Sequence, residues 1–248
     1  MTPRASFLRS VLLSGLAALL AGCGPMLPGR PGAAPTPGPG RPEAPLVGAL
    51  IDRPIDAGTR SAVLRESADL GRCVAELTAA RVDFSPKADR VDSDSCQQIQ
   101  AGLLGADMGT VARMSPGRPE MTCRLALAVS VWRRQSLEPA AREILGSDVV
   151  QIDHFGAYAC RNVNNGVGST RVSAHAQAAA LDVAGVRLRD GRRISLTDDW
   201  NGDGPEAQFL RRIRDDACRI FGTVLSPDYN AVHRDHLHLE ATDTRFCR

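Results

Sequence analysis

Residues 181–196 have the sequence LDVAGVRLRDGRRISL. Two runs rich in apolar residues, 181–188 and 193–196, flank the dipeptide Asp190-Gly191. Because Asp-Gly suits the positive φ angles of a tight hairpin turn, the segment predicts two antiparallel strands. A sheet built on this hairpin would give a rigid base to any site at its edge.

Apolar periodicity predicts three helices, over about 60–80, 122–134 and 205–220. The second is apolar almost all round and should be buried, and Pro205 stands where the third can start. Further strands are expected at 149–152, 157–161 and 235–241. Helices first and an antiparallel sheet later define an α+β class: a small antiparallel sheet, bearing the site, packed with helices over residues 47–248.

The N-terminal 22 residues have the pattern of an export signal. Arg4 and Arg9 precede an apolar run from Val11 to Leu20, which is about half the roughly 20 residues that a spanning helix needs. The following Leu20-Ala21-Gly22-Cys23 resembles the bacterial lipobox, which implies a lipid on Cys23. With Gly24 next, the resemblance implies an outer-membrane anchor facing the periplasm; the alternative is an ordinary secretory signal with a chance cysteine.

Residues 23–46 are dominated by Pro, Gly and Ala. Such a composition cannot bury enough apolar surface to fold, and proline-rich chains extend at about 3.1 Å per residue. We therefore expect a tether that holds the folded domain above a membrane, within reach of the cell wall.

Lysine and arginine total 30 against 28 acids, and aromatics are 4%. No basic field indicates nucleic acid as a partner.

Seven cysteines are present, and assigning Cys23 to the lipid leaves an even set of six. An oxidising compartment favours three disulfides, and the absence of Cys-x-x-Cys spacing argues against a thiolate zinc site. Six cysteines allow 15 pairings. The pairing of neighbours in sequence is our expectation: Cys73 with Cys96, Cys123 with Cys160, and Cys218 with Cys247.

Four of the five histidines lie between residues 173 and 238, and three of them fall within residues 233–238. Residues two apart on a strand face one side, so His236, His238 and Glu240 should project together, with His233 in the preceding turn. His175 and Asp182 add an imidazole and a carboxylate. These two and one C-terminal histidine could hold one zinc ion and leave a position open for water. His154 stands apart and is interpreted as structural or exposed.

The spacing Ser-x-His-(x)6-Asp, followed by His-x-x-His-x-His, resembles the zinc D-alanyl-D-alanine carboxypeptidases and murein endopeptidases. The resemblance implies zinc ligands His175, Asp182 and His238, with His236 as the base and His233 contacting the substrate or assisting. Arg161 would hold a substrate carboxylate or oxyanion, or else be a surface arginine paired with an acid. Two further residues complete the set: Ser173, which lacks a Gly-x-Ser-x-Gly turn and would support the site, and Glu240, which would orient a ligand histidine or merely be solvated.

A second resemblance spans about Cys73 to Cys247. Segments such as Tyr158-Ala159-Cys160-Arg161-Asn162 and Phe221-Gly222-Thr223-Val224-Leu225 resemble the bacterial extensin-like C-terminal domain family. Ala178 stands where both families usually place glycine. If that position has positive φ, alanine costs on the order of 1 kcal/mol and could displace His175 or Asp182.

These features predict a zinc-dependent peptidoglycan peptidase, of carboxypeptidase or endopeptidase type, on a lipid-anchored envelope protein. The alternative is a wall-binding lipoprotein that keeps the fold, and possibly the metal, without cleaving anything. In either case the expected partners are peptidoglycan and, through Cys23, the membrane.

Overall fold

A computed structural model of the chain describes residues 48–166 and 169–248. The predicted signal peptide, the tether and Cys23 lie outside the described residues. Within the described part, no helix is both long and apolar enough to cross a membrane.

The described residues contain six α-helices and twelve strands. The helices are α1 (Thr59–Glu66), α2 (Leu70–Ala79), α3 (Cys123–Trp132), α4 (Glu138–Ala140), α5 (Leu196–Asp199) and α6 (Pro205–Ile220). The strands are β1 (Val82–Pro86), β2 (Arg90–Val91), β3 (Gln97–Gln98), β4 (Ala101–Asp107), β5 (Arg113–Ser115), β6 (Glu120–Thr122), β7 (Val149–His154), β8 (Ala180–Leu188), β9 (Arg193–Ser195), β10 (Thr223–Leu225), β11 (Leu237–Glu240) and β12 (Phe246–Cys247). The α+β class is confirmed, as are the predicted helices α3 and α6.

The largest sheet has seven strands in the order β12-β10-β11-β8-β7-β5, with β9 also paired to β8. It is mainly antiparallel, but β5 runs parallel to β7 and β12 parallel to β10. The predicted hairpin is present as β8 and β9, and its turn contains Gly191 at φ +92°. Because β8 pairs with β7, β9 and β11, it is the strand around which the sheet is built.

The single helix expected over residues 60–80 is wrong, since α1 and α2 are separate. The Oγ of Ser67 donates to the carbonyl of Val63, and the carboxylate of Asp69 accepts from the backbone N–H of Arg72. Short polar side chains compete with the helix ladder in this way, and they favour a cap over a helix interior. The chain therefore turns between residues 67 and 69.

The strand expected at 157–161 is also wrong. This segment is irregular, and its N–H groups bond to neighbours outside a ladder, as when Ala159 donates to the carbonyl of His175. The expectation of helices followed by a sheet was incomplete as well, because β1, β4 and β6 form a separate three-stranded sheet early in the chain. The alternation of buried Val82 and Phe84 is the signal for its first strand.

Helix α3 lies at the centre of the core, as its sequence predicts. Nine of its ten residues are buried. The indole N–H of Trp132, which is fully buried, donates to the carbonyl of Ile213 in α6 at 2.9 Å. The core thus joins α3 to α6 and satisfies the polar atom that a buried indole brings with it.

The six cysteines form three disulfides, as predicted, but two of the three expected pairings are wrong. Cys73 pairs with Cys123 and Cys96 with Cys160, while Cys218 pairs with Cys247 as expected. Helix α2 packs on α3, which brings Cys73 against Cys123 although 50 residues separate them. Tertiary packing, and not distance along the chain, selects the partners.

Gly185 of β8 should tolerate no side chain. A Cβ at this position would lie 2.3 Å from the carbonyl oxygen of Ile194 on β9. We expect Gly185→Ala to lower the free energy of unfolding by about 2–3 kcal/mol, because the β9 backbone would have to move. Urea titration with the disulfides intact measures the change.

Gly117→Ala is the matched control, because a Cβ there meets no atom within 4 Å. Its effect should stay within about 0.5 kcal/mol. Equal midpoints for the two variants would contradict the close approach of β8 and β9.

Candidate metal centre

The pairing of β8 with β11 sets His238 opposite Asp182. The Nδ1 of His238 lies 2.8 Å from Oδ1 of Asp182, and both side chains are buried. Because the two strands are hydrogen-bonded neighbours in the middle of the sheet, this contact is fixed by backbone register. Two residues 56 positions apart in the sequence thereby form one polar pair inside the protein.

His175 reaches the same pair from a 3-10 helix, Ala174–Gln177. Its Nε2 lies 3.1 Å from Oδ2 of Asp182 and 3.2 Å from Nδ1 of His238. Ser173 caps this short helix, since its Oγ accepts from the backbone N–H of His175 at 3.3 Å. The three side chains that the motif singles out as ligands therefore converge, and Ser173 supports the backbone that carries one of them.

Ala178 ends the 3-10 helix in a left-handed conformation, with φ +50° and ψ +29°. An L-residue in this region costs roughly 1–2 kcal/mol relative to its right-handed conformation. The backbone N–H of Ala178 nevertheless donates to the carbonyl of His175 at 3.1 Å. The position does need positive φ, yet alanine there does not prevent His175 from meeting Asp182.

Hydrogen bonds on the far side of each imidazole fix which nitrogen faces the cluster. His175 directs Nδ1 to the carbonyl of Ala157 at 3.2 Å, so that Nε2 faces Asp182. His238 directs Nε2 to Oε1 of Glu240 at 2.9 Å, so that Nδ1 faces Asp182. Such outer partners set the tautomer and orientation of histidines that bind metals. Glu240 is thus in contact with the second nitrogen of His238.

Asp182 and His238 shift each other's pKa values. Burial lowers the pKa of His238, but hydrogen bonds to Asp182 and Glu240 outweigh burial and raise that pKa to about 9. Burial likewise raises the pKa of Asp182, but hydrogen bonds from His175 and His238 hold it well below its usual range. Without a metal, His238 is therefore an imidazolium held between two carboxylates.

A second group of histidines adjoins the first. His233 ends a 3-10 helix, Ala231–His233, and His236 lies just before β11, not on it as the alternation rule suggested. Nδ1 of His233 lies 2.7 Å from Oδ1 of Asn230, and Nδ1 of His236 lies 2.8 Å from Oδ1 of Asp235. Both rings are therefore anchored at Nδ1, which leaves their Nε2 atoms for other partners.

The environments of these two histidines differ. Burial, with the nearby charges of His236 and His238, lowers the pKa of His233 to about 4, so this ring is neutral at neutral pH. Nε2 of His236 lies 3.5 Å from Oδ1 of Asp182. His154, by contrast, bonds to the carbonyl of Pro116 and the backbone N–H of Gly156, away from the cluster. His154 is buried and structural.

The cluster opens into a cleft of about 680 Å³, called the main cleft below. Arg161, Ser173, His233, His236, His238 and Glu240 line it. The guanidinium of Arg161 lies 3.7 Å from Oδ2 of Asp182, and its side chain is 30% exposed. Arg161 thus contacts both the buried carboxylate and the open cleft. This position agrees with an ion pair to Asp182 and also places the guanidinium where it could meet a ligand.

The donor set suits a divalent cation. The ligand atoms of His175, Asp182 and His238 all lie within 4.8 Å of one another, as do those of His233, His236 and His238. Donor atoms in a tetrahedral zinc site lie about 3.3–3.6 Å apart, slightly wider than the contacts of the first group. Two imidazoles and a carboxylate are ligands that zinc accepts, and one of them, His238, also lines the main cleft.

Sequence reasoning missed three groups that orient the histidines: the carbonyl of Ala157 and the side chains of Asn230 and Asp235. Asp235 is adjacent to His236, and Asn230 lies three residues before His233. An acid or amide this close in sequence to a histidine is a usable signal. A backbone carbonyl that is distant in sequence gives none.

The geometry defines a disulfide-bonded α+β domain with a buried cluster of imidazoles and a carboxylate that could hold a metal. A family model described as Extensin-like protein C-terminus matches residues 71–248. The chain belongs to this family, whose match includes every predicted site residue except Cys23. Comparison with curated proteins and with solved structures gives no match.

The affinity of this candidate site for a divalent metal, tested with zinc, should rise with pH. Because the pKa of His238 is raised to about 9 in the metal-free chain, a metal at Nδ1 must displace a proton below that pH. We expect up to about a tenfold gain per pH unit between about pH 6 and 8, measured by competition with a chromophoric chelator. His238→Ala should remove the site, and an affinity independent of pH would contradict metal binding at Nδ1.

Proposed function

We propose that this chain is a zinc-dependent peptidoglycan peptidase of the envelope. The observation that carries the proposal is the convergence of His175, Asp182 and His238, whose ligand atoms lie within 4.8 Å of one another beside the main cleft. The motif similarity to zinc D-alanyl-D-alanine carboxypeptidases and murein endopeptidases supplies the substrate class. The family match alone supplies neither metal nor reaction.

In this proposal His175, Asp182 and His238 bind one zinc ion per chain. Zinc supplies Lewis acidity, which lowers the pKa of water toward about 7 and polarises a carbonyl. His175 and His238 are suited to hold it because Ala157 and Glu240 fix their outward nitrogens. The carboxylate of Asp182 stays ionised at any physiological pH.

His236 is the proposed base. Asp235 holds its Nδ1, so Nε2 is the atom that can accept a proton from the attacking water and pass it to the leaving amine. The ring lines the main cleft, 3.5 Å from Asp182. His233 is neutral because its pKa is lowered to about 4, and its Nδ1–H donates to Oδ1 of Asn230, so its Nε2 can accept a hydrogen bond from the peptide.

Arg161 is the proposed holder of a substrate carboxylate or of the carbonyl oxygen that becomes negative. Its guanidinium lies 3.7 Å from Asp182, so it can turn toward a ligand while it stays beside the reacting bond. A planar fork of N–H donors suits a carboxylate better than the point charge of a lysine does.

The walls of the main cleft suit a peptide or glycan. Of the eight large hydrophobic side chains exposed among the described residues, four line this cleft: Phe155, Tyr229, Val232 and Phe246. Exposed apolar groups concentrated around a polar cavity are typical of binding sites.

The alternative is a wall-binding lipoprotein without turnover. One observation favours it: Asp182 accepts hydrogen bonds from two imidazoles without a metal, so the cluster satisfies its own polar groups. A fold that is complete without the ion could have a purely structural cluster.

Digestion of purified muropeptides separates the two functions. We expect the zinc-supplemented chain to release new products, and a chelator or His238→Ala to abolish them. His236→Ala should still bind zinc but lose activity by about 100-fold or more, as removal of a general base does.

His154→Gln is the matched histidine control, because His154 is buried outside the main cleft. It should keep both zinc and turnover. If the wild-type chain yields no product with zinc or any other divalent metal, the peptidase proposal is wrong and the binding function remains.

We further propose that the chain is exported and anchored to the outer membrane through a lipid on Cys23. The folded domain would then face the periplasm. The three disulfides support an oxidising compartment. Cys23→Ser should remove the lipid and move the protein from the membrane to the soluble fraction, as shown by fractionation and labelling with a fatty-acid analogue. Wild-type protein found only in the soluble fraction would contradict the anchor.

A further inference from the structure

The main cleft contains a second guanidinium group, that of Arg171. Unlike Arg161, which lies beside Asp182, the Arg171 side chain makes no hydrogen bond or ion pair with any residue that the structure describes. An arginine carries five N–H donors and no acceptor. Arg171 is exposed and therefore presents solvated donors and a positive charge to whatever enters the cleft.

The backbone that carries Arg171 is well fixed. The N–H of Val163 donates to the carbonyl of Arg171 at 2.8 Å, and the N–H of Ser173 donates to the carbonyl of Arg161 at 3.2 Å. Arg161 and Arg171 thus stand on the two arms of one loop. The disulfide of Cys160 with Cys96 holds the first arm to the β2–β3 hairpin.

The two arginines have different surroundings in the main cleft. The guanidinium of Arg161 lies 3.7 Å from Oδ2 of Asp182. Arg171 lines the same cleft, but its side chain is exposed and forms no such ion pair with any residue that the structure describes.

The acids that line the main cleft already have hydrogen-bonded histidine partners. Asp235 is hydrogen-bonded to His236, and Glu240 to His238. A negatively charged ligand would therefore find its complement at Arg171 without meeting an unpaired carboxylate first.

We propose that Arg171 is a specificity-determining residue that binds a side carboxylate of a peptide lying in the main cleft. The proposal rests on the proposed function, since it takes the ligand to be a peptide of the cell wall. The planar fork of Arg171 can form two parallel hydrogen bonds to such a carboxylate.

The test compares three forms of one stem pentapeptide, alanyl-γ-D-glutamyl-diaminopimelyl-D-alanyl-D-alanine. The first has both side carboxylates free, and each of the others has one of the two converted into a carboxamide. Calorimetry on the full chain treated with chelator gives the binding constants, because no turnover can occur without the metal. We expect one carboxamide form to bind about tenfold more weakly than the free form.

Arg171→Gln should abolish that preference by weakening the free form alone, and Arg171→Lys should retain part of it. Arg189→Gln is the matched control, because Arg189 pairs with Asp148 outside the main cleft and should leave the preference unchanged. A preference that survives Arg171→Gln, or a wild-type chain that binds all three forms equally or none of them, would overturn the inference.

Product formation after zinc is restored is scored separately. A preference that depends on Arg171 without any cleavage would support the inference and contradict the peptidase. Cleavage with a preference that ignores Arg171 would do the reverse. The two proposals can therefore fail independently.

Discussion

The hydrogen bond between His238 and Asp182 is the contact on which the site depends. It crosses from β11 to β8 in register, 2.8 Å long and buried. A one-residue slip of β11 along β8 would turn His238 to the opposite face of the sheet, away from Asp182. The extensive pairing of β8 with β7, β9 and β11 makes such a slip costly, so the fold itself guarantees the position of the cluster.

Around this contact the polar groups are arranged in shells. Each histidine of the cluster has one nitrogen held by an outer partner, whether a carbonyl, a carboxylate or an amide. The nitrogens that remain point inward or toward the main cleft. Groups held in this way lose little freedom when a ligand or ion arrives, which is the physical meaning of preorganisation.

Patterns within short stretches of sequence predicted the elements whose formation depends on those stretches alone. The hairpin at Asp190-Gly191, the buried helix α3 and the amphipathic helix α6 all follow from spacing within one element. The convergence of His175, Asp182 and His238 was predicted from a motif resemblance, because no local rule brings residues 56 apart into contact. The rest failed for identifiable reasons: two side chains at Ser67 and Asp69 divided a helix, and tertiary packing chose the partners of Cys73 and Cys96.

Two of the disulfides interleave, since Cys96 lies between Cys73 and Cys123 in the sequence, and Cys123 lies between Cys96 and Cys160. A chain that emerges N-terminus first exposes Cys73 and Cys96 together, before either native partner is available. An oxidant that acts in that order joins the wrong sulfurs, and a thiolate must then attack the bond to release them. When oxidation follows that order, the interleaved native pairs form only after disulfide exchange, so the yield of folded chain then depends on how readily thiolates rearrange the first bonds.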